Sequence, residues 1–188
     1  MNLEVEQNLV LRSKTDVQAF AELYEEYYSL ILNYVIRRTG DINLSKDIVS
    51  NTFLKAMENI QGFQWRNVPF STWLYRIANN EINQMYRDAK KQAISLDGLQ
   101  ESYGFEIESS ELIEEILNAQ IELEERHQQF LFYQKKILEL PIKYQEVISL
   151  RYFEDKSMKE IAEVLNKSEG TIKSLLHRGL KKLRNLDD

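Results

Sequence analysis

The chain has 188 residues, 43% hydrophobic and 29% charged, a balance that argues against a disordered chain and predicts a globular protein. It contains no cysteine, which excludes a disulfide framework and thiolate metal sites and fits a reducing cytoplasm. The net charge of -6 counts against a nucleic-acid partner only if the basic residues are evenly spread, and they are not. No apolar run is long enough to span a bilayer, and Met1 to Arg12 lacks the basic stretch and apolar core of a secretory signal. With only six glycines and two prolines, long helical periodicities predict an all-α fold.

The first expected helix begins near Thr15, where Thr15-x-x-Gln18 has the form of a capping box. Phe20, Leu23, Tyr24, Tyr27, Leu30, Ile31 and Tyr34 follow at helical spacing, and Gly40 after Arg37-Arg38 ends it. A second helix is expected from Asn43 to Gln61, with Ile48, Thr52, Phe53, Ala56 and Ile60 as its buried stripe. A third starts near Pro69 and buries Phe70, Trp73, Leu74, Ile77, Ala78 and Met85. Between Ser95 and Arg126 stand ten acidic residues and one base, Arg126, with Gly98 and Gly104 in the first half. This composition shift predicts a linker over 94–126, between an N-terminal domain over 1–93 and a C-terminal domain over 127–188.

In the C-terminal part, a helix ending near Leu140 precedes one from Pro141 to Glu154, with Val147, Ile148, Leu150 and Phe153 as apolar positions. Ser157-Met-Lys-Glu160 is a second capping box, and Met158, Ile161, Ala162 and Leu165 form one face of a short helix. Asn166-Lys167 makes a turn, Ser168 caps the next helix, and Ile172, Leu175 or Leu176, Leu180 and Leu183 are its buried positions. A short helix, a tight turn and a longer helix make a helix-turn-helix, which lays its second helix in the DNA major groove. Charge agrees: Lys167, Lys173, Arg178, Lys181, Lys182 and Arg184 are opposed only by Glu169. Ser168, Glu169, Thr171, Lys173 and Ser174 are the polar tips for phosphates and base edges, with His177 and Arg178 further along. On pattern alone, an ordinary helical hairpin with a solvated basic face remains the alternative.

These segments resemble the extracytoplasmic-function group of bacterial RNA polymerase sigma factors. The resemblance is carried by Glu169-Gly-Thr-Ile-Lys-Ser174 with Leu176-His-Arg178, by Asp47-Ile-Val-Ser-Asn-Thr-Phe53, and by Phe70-Ser-Thr-Trp-Leu-Tyr-Arg-Ile-Ala-Asn-Asn80. It covers the chain from about Thr15 to Arg184.

The resemblance implies partners and roles. Core RNA polymerase would take the second helix through Asp47, Ser50, Asn51 and Phe53. The helix-turn-helix residues Ser168, Glu169, Thr171, Lys173, Ser174, His177 and Arg178 would read the duplex minus-35 element. Phe63, Trp65, Arg66 and Asn67 in the loop, with Asn79, Asn80, Asn83, Gln84 and Arg87 along the exposed face of the third helix, would take the single-stranded minus-ten element. Aromatic faces and guanidinium planes stack unpaired bases, and amides read their edges. For Phe63 and Trp65 the competing reading is capping of a helical core. The acidic linker would enter the polymerase channel, or serve as a solvated spacer. An anti-sigma protein is a further expected partner, and membrane insertion is not expected.

Four positions depart from the family's usual residues: Ser50-Asn51 for Gln-Glu, Gln84 for Asp, and Leu175 for Arg. No enzyme is expected. The two histidines, His127 and His177, are far apart, and no phosphate loop, metal motif or nucleophile elbow is present, so no catalytic residue, metal or cofactor is assigned. Two other classes stay open: a duplex-binding regulator working without polymerase, and a protein-interaction module.

Overall fold

The computed structural model describes residues 3–66, 68–95 and 123–185. All the regular structure in them is helical. Helices α1 (Leu3–Arg12), α2 (Val17–Thr39), α3 (Ile42–Asn59) and α4 (Phe70–Ser95) form an N-terminal group. Helices α5 (Leu123–Leu138), α6 (Ile142–Ile148), α7 (Met158–Leu165) and α8 (Glu169–Arg184) form a C-terminal group. The acidic stretch over 96–122 lies outside the described residues.

α2 starts one residue later than the capping box predicts. Asp16, not Thr15, is the N-cap, and its carboxylate accepts from the Gln18 N–H at 2.9 Å. Both residue types cap well, and the carboxylate also suits the positive end of the helix. At the other end Gly40 adopts φ 71°, a left-handed conformation in which its N–H closes on Ile36 O at 2.8 Å. Phe20, Leu23, Tyr27, Ile31 and Tyr34 are buried as the spacing predicts, whereas Tyr24 and Leu30 are exposed. α3 is capped by Asp41 and buries Ile48, Thr52, Phe53 and Ala56, with Ile60 buried just beyond. α4 buries Phe70, Leu74 and Ala78, and adds Tyr75 and Ile82, both at 0% exposure.

α1 was not anticipated. It packs on α2 and α4, and its Glu6 is buried. The Glu6 carboxylate accepts from Tyr27 Oη at 2.5 Å and from the Phe70 N–H at 2.6 Å. It thereby satisfies an unpaired donor at the start of α4 and places a negative charge at that helix's positive pole.

In the C-terminal group the chain after α6 winds wider than an α-helix over Ser149–Phe153, with the Glu154 N–H bonding Ser149 O at 3.2 Å. The helix-turn-helix follows as expected. Ser157 and Glu160 cap each other reciprocally, Asn166 makes the turn at φ 51°, and Ser168 caps α8 by accepting from the Thr171 N–H. Ile161, Val164, Ile172, Leu175 and Leu176 form its core. Gly179 lets α8 approach α6 closely: a Cβ there would lie 3.1 Å from Ile148 Cδ1 and 3.2 Å from Tyr144 Cβ.

The two groups pack together, α4 against α7 and α2 against the wide turn after α6. Tyr34, wholly buried between α2 and α4, has its phenol pushed up to about 12 by desolvation, against the ordinary value of 10.0. Burial and the neighbouring Glu154 carboxylate raise Tyr75 in the same direction. The unfolded chain therefore releases these protons first. Stability is expected to be intact below pH 10 and to fall as pH rises from there toward 12. Urea midpoints at increasing pH, paired with the same series on Tyr34→Phe, would measure the loss attributable to this phenol.

Candidate nucleic-acid interface

The second helix of the helix-turn-helix presents a polar row. Ser168, Glu169, Thr171, Lys173, Ser174, His177 and Arg178 are all exposed. The row exists because Ile172, Leu175 and Leu176 take the buried side of α8. Leu175, at 6% exposure, is a core residue here, which accounts for an apolar side chain at that position. Ser168 Oγ and Thr171 Oγ1 lie 2.9 Å apart, and the Arg178 Nε–H donates to Ser174 O at 3.1 Å. These local bonds leave the cationic groups of Lys173 and Arg178 facing solvent.

The loop before α4 forms a second polar and aromatic surface. Phe63 is half-buried, with ring centroids 4.9 Å from Trp73 and 5.3 Å from Phe70. Trp65 meets the edge of Phe63 at 6.4 Å. Phe63 thus caps the helical core and also lines a cavity. The cavity, of about 160 Å³, lies between the loop and α4, with Phe63, Arg66, Thr72, Trp73 and Arg76 in its wall. That is about the size of a cavity that admits benzene, roughly 150 Å³. Lys14 fixes the loop, and sequence reasoning missed it. Its Nζ donates to Phe63 O at 2.8 Å and Gln61 O at 3.3 Å, while the Gln61 amide donates back to Lys14 O. The only sequence signal is a lysine just before a helix start. Asn67 lies outside the described residues.

Along α4 the expected exposed row is partly realised. Asn80, Gln84 and Arg87 are exposed, one and two turns apart, with Gln84 held by Asp88 and Arg87. Asn79 departs from that row: it is buried, at 4% exposure, because it lies 100° round the helix from Asn80. Its Oδ1 accepts from Arg38 Nη1 at 2.9 Å and from Tyr34 Oη at 3.2 Å. Its Nδ2 donates to Glu146 Oε1 at 2.9 Å, and Asn83 Nδ2 donates to the same oxygen at 2.7 Å.

On α3, Asp47, Ser50 and Asn51 are exposed in one face, joined by Leu54 and Met57, which the sequence reading did not include. Phe53 is not part of that face. It is 3% exposed and packs on Tyr24 and Tyr28, because position 53 falls about 120° from position 47 round the helix.

Among the described residues no group of three His, Cys, Asp or Glu side chains stands together to hold a metal ion. Nor is any helix there long and apolar enough to cross a membrane.

Fold and surfaces together define a class: an all-helical, two-unit protein with a helix-turn-helix that carries an exposed polar row, and an aromatic loop surface beside α4. The family model for sigma-70 region 2 matches residues 23–92, and that for sigma-70 region 4 matches 133–183. The ECF RNA polymerase sigma factor SigW of Bacillus subtilis is 35% identical over 187 residues, covering 98% of this chain and 97% of that protein. The RNA polymerase sigma factor YlaC of the same organism is 32% identical, covering 87% and 88% of the two chains. The chain belongs to the extracytoplasmic-function RNA polymerase sigma factors. As such it binds core RNA polymerase and promoter DNA and directs transcription initiation. The fold is shared with CnrH, solved in complex with the cytosolic domain of CnrY, at a TM-score of 0.66 and 21% identity over 96% of each chain. It is also shared with RpoE of Bartonella quintana, solved with the anti-sigma factor NepR, at 0.62 and 18% over 89% and 95% of the two chains.

Proposed function

We propose that the two surfaces divide promoter recognition between a domain over 1–93 and one over 127–188, joined by the linker 94–126. α8 reads the minus-35 duplex through Ser168, Glu169, Thr171, Lys173, Ser174, His177 and Arg178. The loop takes an unstacked minus-ten base with Phe63, Trp65, Arg66 and Asn67, while Asn80, Asn83, Gln84 and Arg87 contact the same strand and buried Asn79 supports the helix behind them through Arg38 and Tyr34. The observation that carries this division is that Phe63, Arg66 and Trp73 of the N-terminal group line a cavity while a second, fully exposed polar row stands on α8. Core polymerase docks on the outer face of α3 at Asp47, Ser50 and Asn51, with Leu54 and Met57 supplying apolar contact. Phe53 acts there only by supporting the helix from inside.

The chain supplies no catalytic group of its own; nucleotide addition belongs to polymerase. It works in the cytoplasm, where polymerase is. An anti-sigma protein holds it until a signal arrives, a control supported by two proteins of the same fold: RpoE, solved bound to the anti-sigma factor NepR, and CnrH, solved bound to the cytosolic domain of CnrY.

Run-off transcription with core polymerase on fragmented bacterial DNA tests the whole reading. Discrete starts that require the protein, with two shared upstream elements, are the expected result. Absence of starts together with tight duplex binding by the chain alone would replace it with a regulator that works without polymerase. For the minus-35 row, Lys173→Ala with Arg178→Ala is expected to weaken duplex binding and lower its dependence on salt. Each lost phosphate contact removes about 0.9 from the slope of log K against log salt. An unchanged slope in a filter-binding titration would remove both side chains from the footprint.

A further inference from the structure

We infer that Glu6 and Lys14 are positioning residues for promoter opening: α1 and the turn after it grip the loop before α4 at both ends and hold it in the shape that captures an unstacked base. This rests on the minus-ten reading of that loop. It adds to it two residues that lie ahead of the segment 23–92 matched by sigma-70 region 2.

The loop is bounded by two helix ends of opposite polarity. Gln61 lies in the tight turn Ile60–Gly62 that continues α3, and the carbonyls of Gln61 and Phe63 stand at the negative pole of that helix. Lys14 brings an ammonium to both, 3.3 Å from Gln61 O and 2.8 Å from Phe63 O, and the Gln61 amide returns a bond to Lys14 O. At the far end Phe70 opens α4, where the first N–H groups have no acceptor within the helix. Glu6 brings a carboxylate to the Phe70 N–H at 2.6 Å. One short element thus supplies a cation where the loop begins and an anion where it ends.

Neither group is free to drift. Glu6 is 3% exposed, and Tyr27 Oη donates to it at 2.5 Å while the Tyr27 ring packs on Phe70 with centroids 5.9 Å apart. Lys14 is half-buried and follows Ser13, whose Oγ donates to Val10 O at 2.8 Å and whose N–H closes on Leu9 O at 2.9 Å. Leu9 and Val10 seat that end of α1 in the core. The loop has no such frame of its own, since residues 63–66 are in neither helix nor strand. Irregular backbone keeps a single shape only where contacts offset the entropy of ordering it.

That shape matters because a ring and a base stack in one geometry. A loop that holds the geometry for a fraction of the time loses apparent affinity by that fraction. Phe63 is tied through its own carbonyl, so a shift of that backbone moves the ring that meets Trp65, Trp73 and Phe70. Lys14 and Glu6 therefore act on base capture through the loop, without touching the base. If they served only as helix caps, their loss would weaken the fold, and every function would decline with it.

The chain's two tryptophans, Trp65 and Trp73, both stand at this loop, so their emission reads its packing in the full-length protein. In Lys14→Met and in Glu6→Gln, acrylamide quenching of that emission is expected to rise. Open complexes with core polymerase, read by permanganate on a promoter found by run-off transcription, are expected to fall about tenfold, as for a loop competent a tenth of the time. Polymerase binding in native gels is expected to hold. Lys14→Arg keeps a cation with several donors and is expected to restore both readouts toward wild type. Should Glu6→Gln fail to fold, Lys14→Met, at a half-buried position, carries the test alone. Unchanged quenching overturns the inference, as does a loosened loop with normal opening, or a loss of opening matched by an equal loss of polymerase binding. Holoenzyme carrying Trp65→Ala is read beside these variants. Normal melting there overturns the minus-ten reading itself, whereas defective melting there with normal opening by Lys14→Met overturns only the positioning role.

Discussion

Ile161→Ala is expected to destabilise the helix-turn-helix by about 2–5 kcal/mol and to weaken minus-35 duplex binding with it. Ile161 has 0% exposure and sits in the buried cluster to which α6, α7 and α8 contribute together with the N-terminal helices. Truncation removes the transfer energy of its side chain and leaves a cavity that the short α7, held by caps at both ends, collapses into only partly. Urea denaturation of the full chain would detect the change as an early transition. A midpoint equal to wild type would mean that the helix-turn-helix draws its stability from its packing against α4 instead.

The second large effect concerns promoter opening. Trp65→Ala combined with Asn67→Ala is expected to reduce open complexes while leaving polymerase binding intact. Stacking of one unpaired base on an aromatic ring contributes roughly 1–3 kcal/mol, comparable with the few kcal/mol needed to unstack it. Its loss is thus worth from several-fold to more than a hundredfold in the opening equilibrium, at about 1.4 kcal/mol per tenfold. Permanganate reactivity of melted thymines would follow the loss, and native gels with core polymerase would follow binding. Equal losses in both would indicate a damaged N-terminal fold, because Trp65 meets Phe63 and Phe63 packs on Phe70 at the start of α4.

The helix-turn-helix was legible because its signals are local. Ser157 and Glu160 cap one helix, Ser168 caps the next, and the apolar spacing between them leaves one buried side. The outer row of α8 followed directly from that periodicity. Legibility failed where a side chain's fate is decided by a distant partner. α1 has only Leu9 and Val10 as buried apolar residues, and its place depends on Glu6 reaching Tyr27 and Phe70. Phe53 and Asn79 sit beside exposed neighbours in sequence, and a span of one or two residues turns a helix position from the surface to the core. Their burial needs Tyr24, Tyr28, Arg38 and Glu146, from other helices. The docking of the C-terminal helices on α4 left no mark that sequence periodicity records, because the carboxylates that make it look like ordinary surface charges.

The wide turn at Ser149–Phe153 has a bearing on how this chain tolerates insertions and deletions. A winding of this kind accommodates one residue more than a regular helix needs. Deleting one residue there would draw the turn into regular winding and pull Glu154 and the segment leading into α7 back by one residue. Glu154 would leave Arg37 and Tyr75, and α7 would carry Glu163 away from Arg76. The contacts between the two helix groups therefore depend on the length of this turn, and length changes within it are expected to be far less tolerated than substitutions at its exposed Tyr152.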